Sequence, residues 1–177
     1  AAASAFAISC ALTWKPRSGV TASLQAVSIP RSAGVAPSIS QITGATSLRA
    51  RAKAIAEAFG RRVGDITTIV LERPRHHDLI EEIRAAGARI KLIQDGDVTA
   101  SVAAAIRGTN DHLAIGIGGT RQAVLAAAAL RCLGGELQAQ LWPTTRAEID
   151  AAKEHGIEEG NRVFTSEDLA PGDVIVV

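Results

Sequence analysis

The stretch RIKLIQDGDVTASVAAAI, residues 89–106, decides the fold of this chain. Its first five residues, three of them apolar, predict a strand at Arg89–Ile93, and the alanine-rich run Val98–Ile106 predicts a helix. Between them lies Asp95-Gly96-Asp97, a strong turn sequence in which Asp97 is well placed as the helix N-cap. A strand joined to a helix by a short turn is the building unit of an α/β protein.

Similar units occur on both sides of this stretch. The other predicted elements are a helix at 47–59, a strand at 65–71, a helix at 77–86, a strand at 112–117, a helix at 121–133, a strand at 136–142, a helix from Thr144 to about His155, and strands at 162–165 and 173–177. Strands and helices that alternate with short connections predict a three-layer α/β sandwich with a largely parallel sheet. Because the chain stops on the strand residues VIVV, we expect the domain to be truncated there.

Charge divides the chain into two parts. The first 56 residues hold six basic side chains and no acidic one, so the remainder, with 13 basic and 18 acidic side chains, has a charge of −5. We predict a basic leader at 1–44 and an α/β substrate-binding domain at 45–177. An organelle transit peptide, a disordered linker and the product of a shifted reading frame all have the composition of this leader.

Composition also excludes several classes of protein. The net charge of +1 argues against a nucleic-acid binder. No apolar run approaches the roughly 20 residues that span a bilayer. Cys10 and Cys132 offer neither a disulfide framework nor a zinc site, and Cys132 is predicted to be buried. We expect a cytoplasmic protein, or an organellar one if the leader is a transit peptide.

Two glycine turns are candidate ligand loops, because ligands of open α/β sheets bind beyond the carboxyl ends of strands. Asp95 and Asp97 can accept sugar hydroxyls where Gly96 lets the backbone approach the ligand, although an ordinary turn has the same sequence. Gly116-Ile117-Gly118-Gly119 precedes a helix and can offer N–H groups to an anion, although tight strand–helix packing also explains it. Its spacing differs from the dinucleotide-binding pattern, so we reject NAD binding.

A third loop, ERPRHH at 72–77, also follows a predicted strand. Arg73 and Arg75 flank Pro74 and suit bidentate phosphate contact, although a solvated basic turn has the same composition. His76-His77-Asp78 lacks a third metal ligand at a suitable spacing. With no Ser-His-Asp arrangement present, the sequence offers phosphate and hydroxyl binders but no catalytic residue.

Taken together, the three loops resemble a known family. The runs LERPRHHDLIEEIRAAGARIKLIQDGDVTASVAAAI and GIGGTRQAVLAAAALRCLGGELQAQLWP are similar to the carboxyl-terminal half of class II fructose-1,6-bisphosphatase, which also acts as a sedoheptulose bisphosphatase. The resemblance covers about residues 47–177. It implies a layered α/β sugar phosphatase of gluconeogenesis that uses Mn²⁺ or Mg²⁺ to hydrolyse fructose 1,6-bisphosphate, and that forms oligomers.

The resemblance also assigns the residues of a binding site. Those that match the substrate-binding positions of the family are Arg73, Pro74, Arg75, Asp95, Gly96, Asp97 and Gly119. Gln122 stands where the family has a metal-binding Glu, and a neutral amide binds a hard cation more weakly than a carboxylate does. Arg121 adds positive charge beside it.

The amino-terminal metal ligands of the family have no counterpart in this sequence, because residues 1–44 contain no acid. We therefore expect this chain to bind a sugar bisphosphate but to be inactive without a metal-binding half. The alternative is a catalytically inactive sugar-phosphate-binding protein or the partner of another subunit. In either case the partner is a sugar bisphosphate, with a homo-oligomer or the missing half as protein partner.

Overall fold

The structure is a computed structural model that describes residues 7–9, 24–27, 48–106, 108–142, 146, 150, 153, 154 and 162–176. Its strands are β1 (Ala7–Ser9), β2 (Leu24–Val27), β3 (Thr67–Leu71), β4 (Arg89–Ile93), β5 (Leu113–Gly116), β6 (Gly118–Gly119), β7 (Glu136–Trp142) and β8 (Val163–Thr165). Its helices are α1 (Leu48–Ala58), α2 (His77–Ala86), α3 (Asp97–Ala105), α4 (Thr120–Leu133) and α5 (Ser166–Leu169). Two 3₁₀ turns, Val63–Asp65 and Pro74–His76, precede β3 and α2.

The helix boundaries follow from the sequence. In α2 the residues Leu79, Ile80 and Ile83 are buried, as their spacing predicts for one face of a helix. Gly87 ends this helix with φ of 83°, and Gly134 ends α4 with φ of 72°. Both glycines adopt the left-handed conformation that ends many helices.

The sheet contains all eight strands, in the order β4-β3-β5-β2-β7-β1-β6 with β8 also paired to β7. Strand β3 pairs in parallel with β4 and β5. Leu71 lies opposite Ile93, so β3 and β4 end at the same level and the loops that follow them begin side by side. This three-stranded parallel part has the predicted alternation of strands and helices.

The remaining pairings are antiparallel, so parallel pairing is confined to β4, β3 and β5 and the sheet as a whole is mixed. The difference arises because β2, from the predicted leader, lies between β5 and β7 and runs opposite to both. Strand β1, which also belongs to that segment, pairs with β6 and β7. The boundary predicted at residue 44 stays a prediction.

Helices cover both faces of the sheet, which confirms the predicted layered α/β sandwich. Neighbouring residues of a strand face opposite sides, and accordingly Val70 packs with Ile55 and Leu79 from α1 and α2. Ile69 packs on the other face, in a core shared with Leu130 of α4 and with the alanines of α3 and α4. Small alanine side chains let these two helices approach the sheet closely.

The segment after α5 differs from the sequence-based expectation. Residues 173–176 form no regular structure, although a strand was predicted at 173–177. Instead, the Arg131 guanidinium donates to the carbonyl oxygens of Ala170 and Gly172, which holds this segment against the end of α4. Cys132 was predicted to be buried, but it is exposed, and its thiol contacts the Val174 carbonyl at 3.4 Å.

One further expectation concerns residues that lie mostly outside the described ranges. Most of the helix predicted from Thr144 to about His155 lies outside them. Among the described residues, no helix is both long enough and apolar enough to cross a membrane.

Candidate functional site

Three loops meet at the carboxyl ends of the parallel strands. Residues 72–76 follow β3, residues 94–96 follow β4, and residues 117–119 follow β5. The residues predicted to bind the substrate lie in these loops or directly after them, whereas Gln122 lies in α4. The structure brings the three loops into contact.

Arg75 joins the first loop to the third. Its Nε lies 3.2 Å and its Nη2 2.8 Å from the carbonyl oxygen of Ile117. Both nitrogens donate to one acceptor, so the guanidinium is oriented by the glycine loop. One edge of the Arg75 side chain therefore supports the site, while its remaining N–H groups can serve the predicted phosphate contact.

His76 makes a second connection between the same two loops. The ring is fully buried, and its Nδ1 lies 2.7 Å from the Leu71 carbonyl oxygen at the end of β3. The Ile117 amide donates to Nε2 over 2.8 Å. Because a carbonyl can only accept and an amide N–H can only donate, these contacts fix a neutral ring with its proton on Nδ1.

The surroundings of His76 favour this neutral form. Burial is the main effect that lowers the pKa of the imidazole, and the positive charge of Arg75 acts in the same direction. The hydrogen bond to the Leu71 carbonyl and the carboxylate of Asp97 oppose the decrease. His76 is thus a structural link between the two loops. Its neighbour His77 is exposed and makes no such link.

The second loop places its two carboxylates differently. Asp95 is 94% exposed and its Oδ1 accepts the Gly96 amide at 2.9 Å. Gly96, with φ of 103°, is the N-cap residue of α3, and the helix begins at Asp97. Asp97 was predicted to be the N-cap, but Gly96 takes that position in the left-handed conformation and Asp97 is the first residue of the helix, which releases its carboxylate from the capping role.

The released carboxylate of Asp97 lies against the third loop. A Cβ atom added to Gly118 would be 3.5 Å from Asp97 Cγ and Oδ2. The carboxylate therefore lies next to the backbone of Gly118. Partial burial is the main effect that raises the pKa of Asp97, while the positive charges of Arg75 and Arg73 lower it. Asp97 can therefore accept hydrogen bonds from a ligand in a place with limited access to water.

Arg73 reaches from the first loop towards the second. Its Nη2 lies 3.9 Å from Asp95 Oδ1, and its Nη1 donates to the Glu72 carbonyl at 3.1 Å. Pro74 begins the 3₁₀ turn at an N-terminal position, where a missing N–H is tolerated. With residues of α2 and β4, Arg73 and Pro74 line an open cavity of about 340 Å³, whose other lining residues are Glu72, His77, Ile80, Arg84 and Leu92.

Gly119 leads into α4 as its N-cap residue. An added Cβ would collide with the Oε1 atom of Gln122, so the Gln122 amide lies directly over this glycine. Gln122 and its neighbour Arg121 are exposed. The residue at the expected metal-binding position is thus close to the glycine loop, but it offers a neutral oxygen.

The described residues do not provide a metal site by themselves. Among them, no group of three or more His, Cys, Asp or Glu side chains could hold a metal ion. Of the other histidines, His112 is buried and accepts the Thr67 amide at Nδ1 over 3.0 Å, and His155 lies outside the described residues.

Sequence reasoning missed the two connections to Ile117. Arg75 was assigned only to ligand binding, and His76 was considered only as part of a metal site that lacked a third ligand. The one useful signal was the position of both residues immediately after a predicted strand. The partner atoms belong to the backbone of Ile117, and backbone atoms leave no signature in a sequence.

Comparison with known proteins gives the family. The family model for bacterial, glpX-encoded fructose-1,6-bisphosphatase matches residues 35–177. Each of three curated relatives is named D-fructose 1,6-bisphosphatase class 2/sedoheptulose 1,7-bisphosphatase. The protein from Crocosphaera subtropica is 40% identical over 136 residues, which are 70% of this chain and 39% of the relative.

Two other cyanobacterial proteins of that name give the same result. The protein from Thermosynechococcus vestitus is 39% identical over 137 residues, covering 70% of this chain and 40% of the relative. The one from Synechococcus sp. (strain JA-3-3Ab) is 42% identical over 134 residues, covering 69% and 39%. The chain thus aligns with about two fifths of the length of these relatives, in their carboxyl-terminal half.

Proposed function

Because this chain belongs to the family of bacterial, glpX-encoded fructose-1,6-bisphosphatases, we propose that its three loops form the sugar-phosphate-binding part of a phosphatase acting on fructose 1,6-bisphosphate. The observation that carries the proposal is the joining of these loops by Arg75, His76 and Asp97 at one edge of the sheet. Curated relatives named for fructose and sedoheptulose bisphosphates support it.

Each loop contributes a different chemical group to this proposed site. The guanidinium groups of Arg73 and Arg75 pair with a phosphate, which planar N–H donors bind through two oxygens. Asp95 and Asp97 accept hydrogen bonds from sugar hydroxyls. The first turn of α4, which follows Gly119, offers N–H groups and the positive end of the helix dipole to an anion.

Hydrolysis requires more than these groups supply. In the proposed enzyme a divalent cation such as Mn²⁺ or Mg²⁺ would supply the activation of water that hydrolysis of a phosphate ester needs. Gln122 is the only described residue at an expected ligand position, and the described residues form no metal cluster. We therefore propose that this chain alone binds fructose 1,6-bisphosphate without cleaving it.

Calorimetric titration of the purified chain with fructose 1,6-bisphosphate tests the binding part. We expect saturable binding that Asp95→Asn weakens about tenfold, the loss typical of a hydrogen bond to a charged group. Asp173→Asn, an exposed acid in the segment after α5, is the matched control and leaves the affinity unchanged. Binding that is absent, or equally weak in both variants, contradicts the proposed site.

Phosphate release tests the second part. With saturating fructose 1,6-bisphosphate and Mn²⁺, the chain is expected to release inorganic phosphate no faster than a buffer control. Sustained turnover that follows protein concentration would show that the chain is a complete enzyme and would overturn this part of the proposal.

A second function, a catalytically inactive binding subunit, is favoured by one observation: the neutral amide of Gln122 at the family's carboxylate position. In that case the chain binds the sugar bisphosphate, and supplying the amino-terminal half of a relative does not produce hydrolysis. Restored hydrolysis in this mixture would exclude the inactive subunit.

A further inference from the structure

We propose that His76 is a positioning residue which fixes the glycine loop of the site, and that it does so only as the neutral ring with its proton on Nδ1. This inference concerns the backbone of Ile117 and the order of the residues that follow it. Its effect on ligand binding rests on the proposed function, whereas its structural part does not.

The geometry gives each ring nitrogen a single role. Nδ1 lies 2.7 Å from the Leu71 carbonyl and has to donate, while Nε2 lies 2.8 Å from the Ile117 amide and has to accept. The ring is fully buried, so water cannot replace either partner. Adding a proton to Nε2 would set two donors against each other and release the Ile117 amide.

Ile117 is held at both ends of its backbone by consecutive residues of one turn. The Nε2 atom of His76 accepts a hydrogen bond from the Ile117 N–H, and Arg75 donates two hydrogen bonds to the Ile117 carbonyl oxygen. These contacts fix the peptide planes that lead into Gly118 and Gly119, whose backbone is proposed to meet the ligand. Glycine has the largest backbone freedom to lose, so a loop of this composition depends on outside contacts for its order.

Gly116 supports the same conclusion independently. A Cβ atom added there would be 3.1 Å from Cε1 and 3.4 Å from Nε2 of the His76 ring. The ring therefore packs directly on the backbone of β5, and a side chain at residue 116 would displace it. The absence of a side chain at this position is what lets the imidazole reach the Ile117 amide.

The charges around the ring are few. Arg75, from its own turn, opposes protonation, and Asp97, from the start of α3, favours it. Because the pKa of His76 is lowered in the folded chain, its contribution to stability is present above the ordinary histidine pKa and is lost as the pH falls through the folded value. Acid should therefore loosen the glycine loop before it unfolds the whole chain.

Nuclear magnetic resonance of the unmodified chain tests the proposal directly. Chain with ¹⁵N-labelled histidine should show His76 as the Nδ1–H tautomer, and the Ile117 amide should exchange slowly at pH 8 and at least tenfold faster, after correction for intrinsic exchange, once His76 is protonated. An Nε2–H tautomer, or an Ile117 amide whose protection does not follow the titration of His76, overturns the proposal.

Variants separate positioning from general packing. His76→Phe keeps the ring volume but loses both hydrogen bonds, so we expect Ile117 exchange and the dissociation constant for fructose 1,6-bisphosphate to rise about tenfold or more. His76→Gln, whose amide can both donate and accept, should recover part of this loss, and Gly116→Ala should resemble His76→Phe. Asp78→Asn, at an exposed residue of α2 outside the lining of the cavity of about 340 Å³, is the control.

The outcomes distinguish the two proposals. If the tautomer and the Ile117 exchange are as expected but no form of the chain binds fructose 1,6-bisphosphate, the proposed function fails while the role of His76 stands. If the sugar bisphosphate binds and His76→Phe binds it as tightly as Asp78→Asn does, His76 has no positioning role. The measurements on unmodified chain remain decisive even where a variant does not fold.

Discussion

At the scale of single residues, burial has two opposite effects on the binding capacity of Asp97. Its carboxylate is half-buried beside Gly118, where it can accept hydrogen bonds from a ligand with little competition from water. The same burial raises its pKa, so the charged form that binds a sugar hydroxyl is the form that the fold disfavours. Groups at binding sites commonly have perturbed pKa values for this reason.

Asp97→Asn should therefore increase stability at neutral pH. Because the folded pKa is raised, the contribution of Asp97 to stability is full below its ordinary pKa of 3.8 and is lost as the pH rises. Removing the charge should raise the free energy of unfolding at pH 7 by about 0.5–1 kcal/mol after allowance for solvent screening, with no difference near pH 3.

Urea unfolding of both proteins at several pH values measures this effect. Asp95→Asn is the control, because its carboxylate is 94% exposed, and it should change stability little at any pH. A lower stability of Asp97→Asn at pH 7 would show that the charge of Asp97 is stabilised by the fold rather than opposed by it.

Gln122→Glu should strengthen cation binding. It places a carboxylate beside Gly119, where the amide oxygen now lies, and a carboxylate is the better ligand for Mn²⁺ or Mg²⁺. It also adds an acid to the first turn of α4, which stabilises a helix by about 0.3–1 kcal/mol. Calorimetric titration with MnCl₂ in the presence of fructose 1,6-bisphosphate measures the change.

Gln122→Leu, which removes the oxygen but keeps a side chain of similar size, controls for packing and should bind Mn²⁺ no better than the unmodified chain. Equal Mn²⁺ affinity in all three proteins would mean that residue 122 does not contribute to a cation site in this chain.

At the scale of helices and strands, periodicity predicted the elements well. Strands β4 and β7 and helix α2 have the predicted ends, because turn residues lie on both sides of each of them. Contacts that depend on distant residues could not be read in this way. The segment at 173–176 has the apolar composition of a strand, yet Cys132 contacts the Val174 carbonyl and Arg131 binds the preceding Gly172 carbonyl, which keeps the segment beside α4.

Gly135 lies between the end of α4 and the end of α3, and it should be sensitive to substitution. A Cβ atom there would lie 2.7 Å from Cδ2 of the buried Leu130 and 3.1 Å from Cβ of Ala105. Gly135→Ala should therefore destabilise the chain by about 1–3 kcal/mol, the usual cost of overpacking, as measured by urea unfolding.

Gly64→Ala is the matched control. Its added Cβ would meet only the Gly87 carbonyl at 3.7 Å, which is an ordinary contact, and its φ is not in the left-handed region. If the two variants had equal stability, α3 and α4 would have room to move apart at Gly135.

For the molecule as a whole, the end of the sheet at β4 is a region open to self-association. Among the described residues, β4 pairs only with β3, and unpaired strand edges promote association between chains. Exposed Arg89 and Lys91 oppose this tendency with their charges, whereas Leu92 is 40% exposed and adds apolar surface beside the cavity lined by Arg73 and Pro74.

Leu92→Lys should reduce self-association, because it adds a charge to the exposed edge. We expect a smaller fraction of large species in light scattering at high protein concentration, with the midpoint of thermal unfolding unchanged within about 2 °C. Leu133→Lys, at a leucine with 47% exposure at the end of α4, is the control. Equal scattering by both variants would place the associating surface elsewhere.

Strand β2 has a consequence for how the chain acquires this sheet. It joins β5 to β7, although its partners lie roughly 90 and 110 residues further along the chain. To form such pairings, the chain must close large loops and lose conformational entropy before the new contacts stabilise it, which slows folding. The parallel part with its helices should consequently become protected from hydrogen exchange first, and the antiparallel part should follow in a slower kinetic phase.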